Sequence, residues 1–194
     1  LVFTAAHASN ALRHVTAFVT ARTPRDAGTA EGERAALWLG ERLSAAGLSV
    51  TLDRFTDPTR HGHKPFVNVT ATLPGSGGEW VVLLSHFDTM SGIGAGFQGA
   101  NDGGSSTGLL LALAELLQAA APRRVNVLCA FLDGEECRLA YSDRDGFHGS
   151  KRLARQLKER QLDARAVILT DMVGDRDLKL TVPRNGTAAL RVLA

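Results

Sequence analysis

The chain has 194 residues, 44% hydrophobic and 22% charged, enough apolar material for one domain with a sizeable core. Its 22 Lys and Arg against 20 Asp and Glu leave a net charge of +2, with the basic residues scattered in pairs such as Arg123-Arg124 and Lys151-Arg152. That pattern argues against a nucleic-acid binder, and no apolar run is long enough to cross a membrane, the longest, 109–117, being broken by Glu115.

In chain order, Leu12, Val15 and Val19 fall on one helical face, and Pro24 and Gly28 end that helix. A second helix is expected over 31–46, with Ala35, Trp38, Leu39 and Leu43 buried and Gly47 at its C-terminal cap. Leu48, Val50 and Leu52 then alternate with polar residues as in a strand, and 66–73 is a second strand. The run Pro74-Gly75-Ser76-Gly77-Gly78 is a turn, and 80–84 is an apolar strand buried on both faces. A Gly-rich loop over 91–104 leads into an apolar helix over 107–120. A buried strand over 125–132, a helix over 150–160, a short apolar strand over 166–170 and an alternating stretch over 178–182 follow. The tail from 187 to 194 reads as the start of a helix.

Strands alternating with helices predict an α/β domain, with a mixed, largely parallel central sheet and helices on both faces, spanning 1–194. In such sheets, sites form beyond the carboxyl ends of the strands. Three strands there discharge acid or imidazole groups: Ser85-His86-Phe87-Asp88-Thr89, Leu132-Asp133-Gly134-Glu135-Glu136 and Thr170-Asp171-Met172. The Gly-rich loop adds Asn101-Asp102-Gly103-Gly104. Carboxylates gathered at one edge repel and raise one another's pKa, a cost that a bound cation removes. One imidazole among carboxylates suits zinc or a similar first-row ion better than magnesium or calcium.

Taken singly, each residue has an ordinary structural reading. Asp102 could cap the next helix, Asp171 could end a strand in a turn, and Glu135-Glu136 could be a solvated pair. Their joint placement points to a site. Adjacent glutamates point in different directions, so one can bind metal while the other acts as general base and then general acid. Asp88, two residues after His86, can orient that imidazole. A nucleophile elbow, a His-Glu-x-x-His helix and a phosphate loop are absent from the sequence. His61 and His63 sit in a polar loop with no assigned role, and Cys129 and Cys137 are read as two free thiols.

These motifs together resemble the M28 zinc peptidases, a group of bacterial aminopeptidases and animal-type glutaminyl cyclases. The resemblance runs from Pro24-Arg25-Asp26-Ala27-Gly28 to Asp171-Met172-Val173-Gly174. It implies one or two zinc ions, with Asp102 bridging, His86 and Asp171 completing one ion, Glu136 binding the other, and Glu135 as general base. In the cyclases a single zinc sits at the position of Asp102 and Glu136. There, Glu135 carries a proton from the α-amine of an N-terminal glutamine to the departing ammonia.

The family's second zinc carries a late histidine, and no histidine follows His148. The C-terminal part of the domain is therefore expected to be missing from these residues. The chain also opens at Leu1, so a removed leader or tag is expected, and secretion or periplasmic export fits the class. Between Glu136 and Gly149-Ser150 lies a long segment, 137–148, similar to that of the cyclases, with Tyr141 where they carry an aromatic residue lining the substrate pocket. The run Ser105-Ser106-Thr107-Gly108 is peptidase-like instead. The first expectation is an aminopeptidase acting on peptides with a free N-terminus. The alternatives are a glutaminyl-peptide cyclotransferase and a peptidase-like binding domain without catalysis.

Overall fold

The structure is a computed structural model that describes residues 4–94, 96–120, 122–179 and 186–187. Helix α1 (Ala5–Ala21) buries Phe18 and Val19. Leu12 is 66% exposed, so it does not share their stripe; Phe18, one residue before Val19, enters the core instead, its ring 5.4 Å from that of Trp38. Helix α2 (Ala30–Ala45) starts where the Thr29 hydroxyl accepts a hydrogen bond from the Gly32 N–H at 3.2 Å, with Glu31 and Glu33 facing the positive end of the helix dipole. It buries Ala35, Trp38, Leu39 and Leu43 as expected, and Gly47, at φ +80°, turns the chain out of it.

Strands β1 (Ser49–Thr59) and β2 (Gly62–Leu73) form an antiparallel hairpin, longer at its tip than the alternation of Leu48, Val50 and Leu52 predicted. His61 and His63 therefore belong to a hairpin tip and not to a free loop. Strand β3 (Trp80–His86), helix α3 (Ser106–Ala119), strand β4 (Asn126–Leu132), helix α4 (His148–Glu159) and strand β5 (Ala164–Leu169) follow. The alternating stretch over 178–182 shows no strand at 178–179, and its remainder lies outside the described residues, as does the 187–194 tail beyond Thr187.

The five-stranded sheet has the order β1-β2-β4-β3-β5. The β1/β2 and β2/β4 pairs are antiparallel, and the β3/β4 and β3/β5 pairs parallel. Helices cover both faces. One core joins Phe18 of α1, Leu39 of α2 and Leu110 and Leu111 of α3 to Val69, Cys129 and Phe131 of the sheet. The other joins Leu153 of α4 to Val82, Leu128 and Ala130. The expectation that 80–84 is buried on both faces is corrected. Strand β3 is half-buried over much of its length. At the sheet edge β5 leaves Val167, Ile168 and Leu169 exposed, because it pairs through β3 alone among the described residues. Cys129 and Cys137 are both buried free thiols.

Parallel pairing aligns the strand exits. His86 sits opposite Leu132 and Leu84 opposite Leu169, so the loops after β3, β4 and β5 leave from one edge.

Candidate active site

His86, the last residue of β3, is 1% exposed. Its Nε2 stands 3.1 Å from Asp102 Oδ1 and 3.3 Å from Asp171 Oδ1, and its Nδ1 stands 3.4 Å from Asp88 Oδ1. None of these contacts is aligned as a hydrogen bond, and both ring nitrogens are without one. Asp102 reaches the imidazole from a kinked turn over Ala100–Ser105, where Asp102 and Gly103 leave helical backbone angles. Gly103 makes this possible: its φ is +70°, and a Cβ there would meet Asp88 O at 2.9 Å and the His86 ring at 3.0 Å.

The glutamate pair is held by Asp88. That buried carboxylate accepts the Glu135 and Glu136 N–H groups, each at 3.1 Å. One residue two positions after His86 thus ties the imidazole to the glutamates. Asp133, also buried, accepts the Val67 N–H at 2.8 Å through Oδ2, while its Oδ1 has no hydrogen-bond partner among the described residues. Asn68 of β2 accepts the Asp133 N–H at 3.1 Å and donates to Gly149 O at 2.9 Å, stitching the end of β4 to the start of α4.

Burial and crowded carboxylates set the electrostatics. Burial, followed by the charges of Asp102, Asp88 and Glu135, pushes Glu136 up to about 8. Glu135 is raised by burial and by Asp88, Asp171 and Asp102, against the opposing pull of His86. Burial and Asp88 hold Asp133 well above the ordinary carboxylate range. Burial pulls His86 down, but Asp102, Asp171 and Asp88 together outweigh it and raise the imidazole to about 12.

The 137–148 segment folds over Glu135. Asp145 organises it, accepting N–H groups from Arg138 at 2.7 Å, Leu139 at 3.1 Å and Ala140 at 3.3 Å. The Tyr141 hydroxyl donates to Glu135 Oε2 at 3.4 Å, and its ring stacks on Phe147 with centroids 4.5 Å apart. Phe147 has φ +58°, a left-handed conformation that a bulky residue rarely adopts, so the shelf is held at a conformational cost.

All the site residues expected from sequence thus converge: His86, Asp88, Asp102, Glu135, Glu136, Tyr141 and Asp171. Phe147, Asp133 and Arg25 were not foreseen as site residues. Arg25 is 0% exposed. Its guanidinium donates to the carbonyls of Phe87 at 2.5 Å, Gln98 and Gly99 at 2.7 Å and Asp102 at 3.4 Å, and lies 4.9 Å above the Phe18 ring. Burial lowers it to about 10, opposed by Asp88, Asp102 and Asp26, so it stays charged at neutral pH. The only hint in the sequence was its place in the Pro24-to-Gly28 motif, which carries no chemistry of its own.

The donor set fits a metal ion. His86, Asp102 and Glu136 each offer a ligand atom, and these atoms lie within 4.8 Å of one another. The two orphaned nitrogens of a buried imidazole, facing carboxylates, are what removal of a proton and arrival of a cation would resolve.

Comparison with known proteins finds relatives of the chain and of its fold. Over 128 residues the chain is 36% identical to a glutaminyl-peptide cyclotransferase-like protein of Bos taurus, covering 61% of this chain and 33% of that one. The fold is similar to a glutaminyl cyclase of an Acidobacteriales bacterium, with 29% identity and a TM-score of 0.88 over 95% of this chain and 64% of that one. It is also similar to a leucine aminopeptidase precursor of Bacteroides thetaiotaomicron, with 25% identity and a TM-score of 0.75 over 88% and 63%. The chain thus spans about a third of the first of these proteins and under two thirds of the other two. The model of peptidase family M28 matches residues 68–193, the stretch that carries His86, Asp102, the glutamate pair and Asp171, and on that match the chain belongs to peptidase family M28.

Proposed function

We propose that the protein is a zinc-dependent glutaminyl-peptide cyclotransferase, which converts an N-terminal glutamine to pyroglutamate and releases ammonia. This reverses the ranking reached from sequence, where the aminopeptidase came first. The observation that carries the reading is the Tyr141–Phe147 stack beside the Glu135 carboxylate, built by a segment too long for the simple peptidases. The cyclase relatives support it.

In this mechanism Asp102 and Glu136 would hold the zinc, with His86 and Asp171 beside them. Zinc, when bound, polarises the side-chain carbonyl of the substrate glutamine. Glu135 takes a proton from the α-amine, whose nitrogen attacks that carbonyl carbon and closes the lactam ring. The C–N bond to the side-chain amide nitrogen breaks. Glu135 returns the proton to this nitrogen, which leaves as ammonia, and no water is consumed. A carboxyl raised above its ordinary value suits both halves of this shuttle near neutral pH. Tyr141 of the aromatic shelf stands beside the Glu135 carboxylate.

Aminopeptidase hydrolysis is the second reading. It is favoured by the closeness of Asp171 to His86 Nε2, which suits a two-ion centre, and by the aminopeptidase among the similar folds. Mass spectrometry separates the two. A peptide starting with glutamine and one starting with leucine are incubated with the protein and zinc. Loss of ammonia from the first alone is expected; loss of a whole residue from either makes the protein an aminopeptidase. In the same assay Glu135→Gln is expected to abolish turnover with metal content unchanged. A variant that keeps most of its rate would show that Glu135 is not the base.

A further inference from the structure

A second concavity opens beside the glutamate pair, between the β1–β2 hairpin tip and the 137–148 segment, and Glu136 is part of its wall. Phe66 and His148, stacked at 4.5 Å, also line it. His148 is already committed to Asp57 at 2.7 Å. Four further lining residues are cationic: Arg60 and Lys64 from the hairpin, Arg138 and Arg144 from the segment.

These cations are poorly compensated. Arg60 pairs with Asp145 at 3.3 Å, and that carboxylate also accepts three backbone N–H groups. Lys64, Arg138 and Arg144 form no ion pair among the described residues. Glu136, the other carboxylate of the wall, faces Asp102 in the metal-ligating cluster. Like charges gathered on a concave wall repel one another, and the cleft concentrates their field on whatever enters it. The neighbouring catalytic edge is strongly acidic, so the two adjacent surfaces have opposite preferences.

We infer that this cleft receives an acidic side chain of the peptide substrate, one to three residues beyond the N-terminal glutamine. The inference rests on the cyclotransferase reading for the position of the N-terminus. Glu135 and Glu136 are consecutive, and each extended residue of a substrate advances it by roughly 3.5 Å, so residues just after the first reach the cleft. A free amino terminus at the acidic edge and a carboxylate in the cationic cleft orient the peptide from both ends. Arg138 and Arg144 act as specificity-determining residues; they touch no reacting atom.

The test measures kcat and KM of the intact zinc-loaded protein on three amidated peptides, Gln-Glu-Glu-Ala-Phe, Gln-Gln-Gln-Ala-Phe and Gln-Lys-Lys-Ala-Phe. The acidic peptide is expected to show a KM about tenfold below that of the lysine peptide, from two or more partly shielded ion pairs, with the difference shrinking as salt is raised. The double variant Arg138→Gln/Arg144→Gln removes the preference and leaves the neutral peptide unaffected. Arg124→Gln, a loss of charge just ahead of β4 and so at its other end, leaves the preference in place. Equal KM values for the three peptides, or a preference that survives the double variant, overturn the inference. If no peptide is cyclised, the cyclotransferase reading fails on its own. The cleft is then judged by fluorescence binding of acetyl-Ala-Glu-Glu-Ala-amide: saltable binding lost in the double variant supports it, and its absence refutes it.

Discussion

Arg25 touches four carbonyls on the two loops that present His86 and Asp102, yet it has no acidic hydrogen-bond partner of its own. Its contribution is to fix backbone, and hence to hold imidazole and carboxylate at ligand distance before an ion arrives. Arg25→Met would leave the buried Phe87 carbonyl without a donor among the described residues and would release the hydrogen bonds to the Gln98, Gly99 and Asp102 carbonyls. A loss on the order of 1–3 kcal/mol in urea unfolding is expected, together with weaker zinc binding by titration. An unchanged unfolding midpoint would show that Arg25 is not a clamp. His86, Asp102, Glu135, Glu136 and Asp171 were legible because each follows an apolar strand or sits in a Gly-rich loop. Arg25 was not, since the carbonyls it meets lie 62 to 77 residues away in sequence.

At the scale of elements, the junction between β4 and α4 decides where the glutamates point. Gly149, in the first turn of α4, packs so closely on Asn68 Oδ1 and the Asp133 carbonyl that a Cβ has no room. Gly149→Ala is expected to destabilise the protein by about 1–3 kcal/mol through overpacking. It should also lower kcat more than the Tm shift alone explains, because relief requires moving Asp133 and, with it, Glu135. Thermal unfolding and steady-state kinetics on the same preparation check this; a variant with wild-type Tm would refute the tight junction. Helices α2, α3 and α4 were readable from their periodicity to within one or two residues, whereas the bounds of α1 were not. The hairpin tip was not, because Thr59 to Lys64 is polar and carries no alternation. The cross-strand pairs from Thr56 with Pro65 to Thr59 with Gly62 extend the strands to it.

Across the whole molecule, the site makes folding depend on pH with a definite sign. In the metal-free protein Glu136 rises from 4.5 to about 8 and His86 from 6.5 to about 12, and Glu135 and Asp133 are also raised. The folded chain therefore binds more protons than the unfolded chain above the ordinary carboxylate pKa, and stability falls as pH rises through that window. Asp102 and Asp145, both lowered, act in the opposite sense, but only as pH falls below their ordinary 3.8. Zinc at the proposed site would require the deprotonated ligands, so it would restore most stability where the metal-free protein has lost most. Calorimetry is expected to show Tm of the chelator-stripped protein falling between about pH 6 and 8, and that of the zinc-loaded protein holding or rising. Identical slopes with and without zinc would place the proton uptake elsewhere.

Local chemistry, read in order, was enough to determine the α/β class, the helices, the strand-end placement of the acids and the likeness to a zinc peptidase family. These follow from periodicity and from residue types at element boundaries, which are properties of neighbours in the chain. Tertiary structure alone decided the rest: the Arg25 clamp, the Phe147 shelf under Tyr141, the exposure of Leu12 and β5, and the cationic cleft that joins Arg60 and Lys64 to Arg138 and Arg144. Each depends on a contact between segments far apart in sequence, or on which face of an element finds a partner, and only folding in three dimensions sets either.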